Sequence, residues 1–137
     1  MKPYEFLPHT ADVRIVARGK DLAEAFQNCA YALTDVVTDH TKIEKKIEKE
    51  IIVESEDKKS LLYDFLEEFI ILIDGEGFLL AEVLEIKVEG LKITAKVVGD
   101  VHSDKYETKT HVKAMTYQEM EIKEEPDKVV IKFIVDI

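Results

Sequence analysis

The sequence contains no tryptophan and one cysteine, Cys29. A lone cysteine excludes an internal disulfide and a thiolate zinc cluster. Its place among apolar helix positions suits a buried thiol better than redox chemistry. Long apolar runs are also missing, so no segment has the length of a membrane helix, and the start, Met1-Lys2-Pro3-Tyr4-Glu5-Phe6, lacks the apolar stretch of a signal peptide. These features lead us to expect a soluble, cytoplasmic protein. There is no Gly-x-x-x-x-Gly-Lys-Ser/Thr loop and no Gly-x-Gly-x-x-Gly, so no segment resembles a known phosphate cradle. Gly-x-Ser-x-Gly and His-Glu-x-x-His are absent too, which leaves the standard hydrolase readings without support. Positive charge is in short supply: 19 Lys and Arg stand against 29 Asp and Glu, a formal net charge of -10. That excess repels a phosphate backbone, so strong direct nucleic-acid binding is not expected. Metal ions and basic protein surfaces fit the charge better.

With 137 residues, 46% of them hydrophobic, the chain can bury one sizeable core but hardly two, and residues 1–137 read as a single domain. Abundant Lys and Glu beside scarce Asn and Gln often accompany growth at high temperature, which bears on habitat and not on function.

Periodicity outlines the elements. Val13 to Arg18 alternates as a half-buried strand, and Gly19-Lys20 turns the chain. Asp21 with Glu24 forms a capping-box pattern that opens a helix. Leu22, Ala25, Phe26, Cys29, Ala30, Leu33, Val36 and Val37 form its apolar stripe. The charged stretch from Asp39 to Glu50 reads as a solvated connection in its first half, and Ile51 to Glu54 as a strand. A second helix is expected from Lys58 to Asp74, stopped by Gly75 and Gly77. Beyond Phe78 the period becomes two: Leu84, Ile86 and Val88 share one side, Glu89-Gly90 turns, and Leu91, Ile93, Ala95 and Val97 return. A polar excursion from Gly99 to Thr110 leads to a strand through Met115, Tyr117 and Glu119. Glu124-Glu125-Pro126-Asp127 turns into a last strand, Val129 to Asp136. This pattern predicts an α+β two-layer sandwich of mostly antiparallel sheet with two main helices.

Two features stand outside the core pattern. In His9-Thr10-Ala11-Asp12, just before the strand that starts at Val13, every residue but the alanine can bond or ligate; in the plainer reading Thr10 and Asp12 satisfy turn amides. At the other end, strand character persists to the last residue, so Asp136 and the α-carboxylate of Ile137 are adjacent anions on an ordered segment. With Asp12 they suit a hard divalent cation; the alternative is solvation or pairing with a lysine. His40, His102 and His111 are scattered through polar segments and read as solvent-exposed, outside the site. Two other functional classes stay open: a metal-dependent phosphoesterase using His9, Asp12 and Asp136, and a chaperone-like binding module for basic clients.

Four elements, His9-Thr10-Ala11-Asp12, Val37-Thr38-Asp39, Lys113-Ala114-Met115-Thr116-Tyr117 and Asp136-Ile137, occur with the leucine-rich segment Ser60-Leu61-Leu62 in an order and spacing that resembles the archease family over essentially the full length. The resemblance implies a non-catalytic accessory factor of the RtcB-type tRNA-splicing RNA ligase. Such a factor promotes guanylylation of the ligase histidine and repeated turnover, with a widened use of nucleoside triphosphates. It further implies a divalent cation, Ca²⁺ or another hard ion such as Mg²⁺ or Mn²⁺, at Asp12, Asp136 and the Ile137 carboxylate. Asp39 and Lys113 correspond to further functional positions, and His9, Thr10 and Tyr117 lie within the matching motifs. Gln118 departs from the pattern, since many relatives have histidine there, and any role needing an imidazole at that position is put in doubt.

Overall fold

In the computed structural model, which describes residues 2–7 and 12–137, one core-facing strand pair joins segments from near the two ends of the sequence. Strand β2 (Asp12–Gly19) runs antiparallel to β7 (Lys128–Asp136), from Asp12 opposite Asp136 to Gly19 opposite Val129. Ile15 and Ala17 alternate inward on β2 and meet the inward Ile131 and Phe133 of β7, all at most 1% exposed. On the outer sides of this pair lie β1 (Tyr4–Leu7) and β6 (Ala114–Glu125), so the sheet order is β1-β2-β7-β6. A second sheet, ordered β3-β5-β4, contains β3 (Ile47–Glu54), β4 (Phe78–Glu89) and β5 (Lys92–Val101). Every pairing is antiparallel. The helices α1 (Leu22–Val37) and α2 (Lys58–Glu76) each touch strands of both sheets. One apolar cluster therefore joins all the layers, and the fold is the expected α+β sandwich.

Helix α1 starts at Asp21, whose side chain accepts from the Glu24 amide at 2.9 Å. The Glu24 carboxylate reaches back to the amide of Lys20 rather than of Asp21, at 2.8 Å. The apolar stripe is buried from Ala25 to Val37, and Ala32 and Thr34 are buried as well because the helix packs against two sheets. Cys29 is fully buried, and burial pushes its thiol well up. In α2, Asp57 and Ser60 form a full capping box, and Gly77, at φ 70°, closes the helix in the left-handed conformation that favours glycine. No helix among the described residues is long and apolar enough to cross a membrane.

Several boundaries differ from the sequence expectation. Strand β1 carries no pattern of its own, yet it pairs with β2 from Tyr4 opposite Ala17 to Leu7 opposite Arg14. Strand β3 begins at Ile47, not Ile51, because its backbone pairs with β5 regardless of its charged outer face. The segment before it is only partly solvated: a short 3₁₀ turn, His40–Lys42, precedes Ile43, which is 5% exposed. The polar excursion is likewise pinned, by Tyr106 in the core and by its hydroxyl donating to Asp100 at 2.6 Å. Leu84 does not share a side with Ile86 and Val88. A register shift between Val83 and Glu85 turns it outward, to 49% exposure. The turn after β4 is Gly90-Leu91, with Gly90 at φ 61°, and β6 runs on to Glu125.

Gly99 of β5 shows how close the sheet backbone comes at the first irregularity of β4. A Cβ there would lie 1.9 Å from the Leu79 carbonyl oxygen, a backbone atom that cannot swing aside. Gly99→Ala is expected to cost about 3 kcal/mol or more, as overpacking against rigid backbone does. Urea denaturation measures it, and a cost below about 1 kcal/mol would show that the β4–β5 pair yields instead.

Candidate metal cleft and acidic network

Register places the first group of acids. Asp12 opens β2 and Asp136 closes β7, and they are direct cross-strand partners, which puts their side chains on one face of the sheet. On the other flank of β7, Ala114 is the partner of Asp136, and the Lys113 amide donates to the Asp136 carbonyl at 2.8 Å. Ile137, the last residue, is half-buried against the core. Asp12, Ile137 and Asp35 line one open cleft of about 420 Å³ together with Phe6, Leu7, Lys109 and Thr110. The fold thus brings Asp12, Asp136, Ile137 and Lys113 to one end of the four-stranded sheet. His9 and Thr10 lie outside the described residues. Tyr117 is elsewhere, in a separate hollow beside the start of α2.

The second group is a network built on Asp35, in the last turn of α1. Its carboxylate accepts from the Tyr4 hydroxyl and from the His40 amide at 2.9 Å, and the His40 ring Nδ1 lies 2.8 Å from the same oxygen. The His40 ring stacks on Tyr31, centroids 4.5 Å apart, and the Tyr31 hydroxyl oxygen accepts from the Val83 amide at 2.8 Å. The side chain of His40 is only 15% exposed, which corrects the expectation of a solvent-exposed histidine; His102 and His111 are exposed as expected. Asp39 caps the 3₁₀ turn, accepting from the Thr41 amide at 3.0 Å and from its hydroxyl at 2.6 Å. Asp35, Asp39 and His40 hold donor atoms within 4.8 Å of one another. Their polar atoms are already engaged with Tyr4 and Thr41, so their arrangement is that of an internal network joined to the cleft through Asp35.

Burial raises the Asp35 carboxyl, but hydrogen bonds from the His40 ring and amide and from Tyr4 outweigh it and hold the group below the usual carboxylate range. The Tyr4 hydroxyl is pushed well up, first by burial and then by Asp35. A hydrogen bond from the Thr41 hydroxyl lowers Asp39. Around this network the loop after β5 is tied to the end of α1, with the Lys109 amide donating to the Val37 carbonyl at 2.7 Å. Sequence reasoning passed over Asp35, Tyr4, Lys109 and Thr110. The one available signal was Asp35 itself, an acid in the last turn of a helix, where the macrodipole opposes negative charge.

The Archease protein family (MTH1598/TM1083) matches residues 4–137 of this sequence. The chain belongs to the archease family. Protein archease of Pyrococcus abyssi is 44% identical over 132 residues, covering 93% of this chain and 92% of the relative. Protein archease of Sulfolobus acidocaldarius is 37% identical over 139 residues, with both chains fully covered. The solution structure of Methanobacterium thermoautotrophicum protein 1598 superposes with a TM-score of 0.85 at 34% identity, covering all of both chains. A crystal structure from Thermotoga maritima, described as an archease and possible chaperone, reaches a TM-score of 0.63 over 96% of this chain and 94% of its own; at 21% identity it shares the fold alone.

Because Asp35 has a lowered folded pKa, its stabilisation is complete above the ordinary carboxylate value and is lost as pH falls through the lower folded one. Asp35→Asn is expected to destabilise the protein by about 1–3 kcal/mol at pH 7. The gap to wild type should narrow below about pH 4. Urea denaturation across pH reads it, and a gap that does not change with pH would mean that the carboxylate charge is not what the network holds.

Proposed function

We propose that this chain is a non-catalytic activator of an RtcB-type tRNA-splicing RNA ligase, acting in the cytoplasm to promote guanylylation of the ligase and repeated turnover, with a widened use of nucleoside triphosphates. The observation that carries the reading is the cross-strand pairing of Asp12 with Asp136 beside the cleft that Ile137 lines. An all-carboxylate donor set fits a hard divalent cation such as Ca²⁺, Mg²⁺ or Mn²⁺ and suits soft transition metals poorly. Asp12, Asp136 and the Ile137 carboxylate would hold it, and its charge would offset the negative charge gathering on phosphoryl oxygens during guanylyl transfer.

The chain's own residues supply the rest. The β2–β7 ladder keeps the two aspartates together against their mutual repulsion. Lys113, exposed and tied through its amide to Asp136, offers a cation next to the acids for a phosphate or a ligase carboxylate. Phe6 and Leu7, 45% and 41% exposed, give the cleft an apolar lip against which a partner surface can close. The net charge of -10 favours a basic protein partner over RNA itself.

Two measurements test the reading. In ligation with limiting ligase, GTP and metal, the wild-type chain should convert a stalled single round into sustained turnover, and Asp12→Ala and Asp136→Ala should not. By calorimetry, the same variants should lose about tenfold or more in divalent-cation affinity. Variants that fold normally and still stimulate at full rate would overturn the metal role, and no stimulation by wild type with a cognate ligase would overturn the accessory role.

A further inference from the structure

Tyr117 lies away from the cleft, in a stretch of β6 that leaves its partner strand. Thr116 faces Ile134 and Glu121 faces Lys132, so the residues between them loop out from the ladder, with Glu119 at φ 54°. The excursion leaves Tyr117 52% exposed. Its inner face is covered by Tyr63 of α2 in a parallel stack, centroids 4.4 Å apart and planes inclined by 15°. Beside the pair is an open hollow of about 450 Å³ bounded by the first residues of α2 and by Ile122. Pinning α2 onto β6 accounts for the inner face of the stack and not for the exposed ring.

Asp57 lines the hollow beside that ring, and Asp64 and Glu67 follow it along α2. After partial burial, the groups that raise the Tyr117 hydroxyl are Asp64, Tyr63, Asp57 and Glu67. Two lysines border the hollow, but Lys58 is paired with Glu124, and Lys59 acts on Asp57, helping to lower its carboxyl. A rigid aromatic face with surplus carboxylates at its edge attracts a cation, and a planar one satisfies both features: it lies flat on the ring while its edge N–H groups reach the acids.

We propose that the outer face of Tyr117, backed by Tyr63 and beside the hollow that Asp57 lines, with Asp64 and Glu67 further along α2, is a seat for an arginine side chain presented by a basic protein partner. A stacking platform beside lysines also suits single-stranded RNA. Here Lys58 is paired with Glu124, Lys59 sits beside Asp57, and the chain as a whole carries a net charge of -10, so the protein partner is favoured. The surface is separate from the Asp12 cleft, and its test needs neither ligase nor metal.

The test follows the ring protons of Tyr63 and Tyr117 by NMR while the full chain is titrated with a tetra-arginine peptide, a tetra-lysine peptide or an oligouridylate. Tetra-arginine should shift both rings and bind more tightly than tetra-lysine. Tyr117→Leu should weaken it by about threefold or more, while Tyr117→Phe stays within about twofold of wild type. Glu67→Gln, which leaves the stack in place, should weaken it as well. Equal affinity for the two peptides, or tetra-arginine binding unaffected by Tyr117→Leu, would overturn the seat. Oligouridylate shifting the rings where the peptide does not would replace it with an RNA platform.

Discussion

The antiparallel ladder between β2 and β7 is the constraint on which the other features rest. It closes the chain on itself, carries β1 on one side and β6 on the other, and sends Ile15, Ala17, Ile131 and Phe133 into the core. Side chains on a strand alternate, so slipping the ladder by one residue would turn these four toward the wrong face. The same slip would part Asp12 from Asp136. Two like charges as direct partners are unfavourable on their own, and the buried apolar residues along the rest of the ladder hold them there. Core packing and the acidic pair are thus one register seen at different points of a strand pair.

A second arrangement joins elements that the ladder does not reach. Asp35 draws Tyr4 from β1 and His40 from the turn after α1 onto one carboxylate, and the stack of His40 on Tyr31 extends the chain of contacts to the amide of Val83 in β4. The end of α1 is also where Lys109 of the long loop is anchored. The cleft is therefore braced at Asp35 by hydrogen bonds among side chains distant in sequence, and at Asp12 by the strand ladder. The Tyr63–Tyr117 pair, formed by α2 and the irregular stretch of β6, belongs to neither and offers its own face to solvent.

Elements whose apolar residues repeat regularly were legible from the sequence. Both helices, the β4–β5 hairpin and the last strand follow periods of 3.6 or two, because burial on one face writes itself into the residue order. Elements held by partners instead of patterns were not. Strand β1 is made by β2, and the first half of β3 is made by β5 beneath alternating charges. Ile43 and Tyr106 lie in polar stretches, and only the folded chain shows them filling the core. Leu84 misled the reading because a register shift resets the alternation, which pairing alone reveals.

For the candidate site, the sequence by itself determined the composition of the acidic ends, the single buried thiol, the family motifs and the negative charge that repels phosphate. It could name Asp12, Asp136 and Ile137 as candidate anions, and their meeting at one site was implied by the family resemblance alone. What only the tertiary structure decided is adjacency. Asp12 faces Asp136 because β2 and β7 pair in that register, and Asp35 enters the same cleft because α1 ends beside it. Tyr117 separates from the other motif residues because it lies in the irregular stretch of β6 and stacks there on Tyr63 of α2. Charge and period are local properties of a chain, whereas the distance between residues far apart in sequence is set by the packing of everything between them.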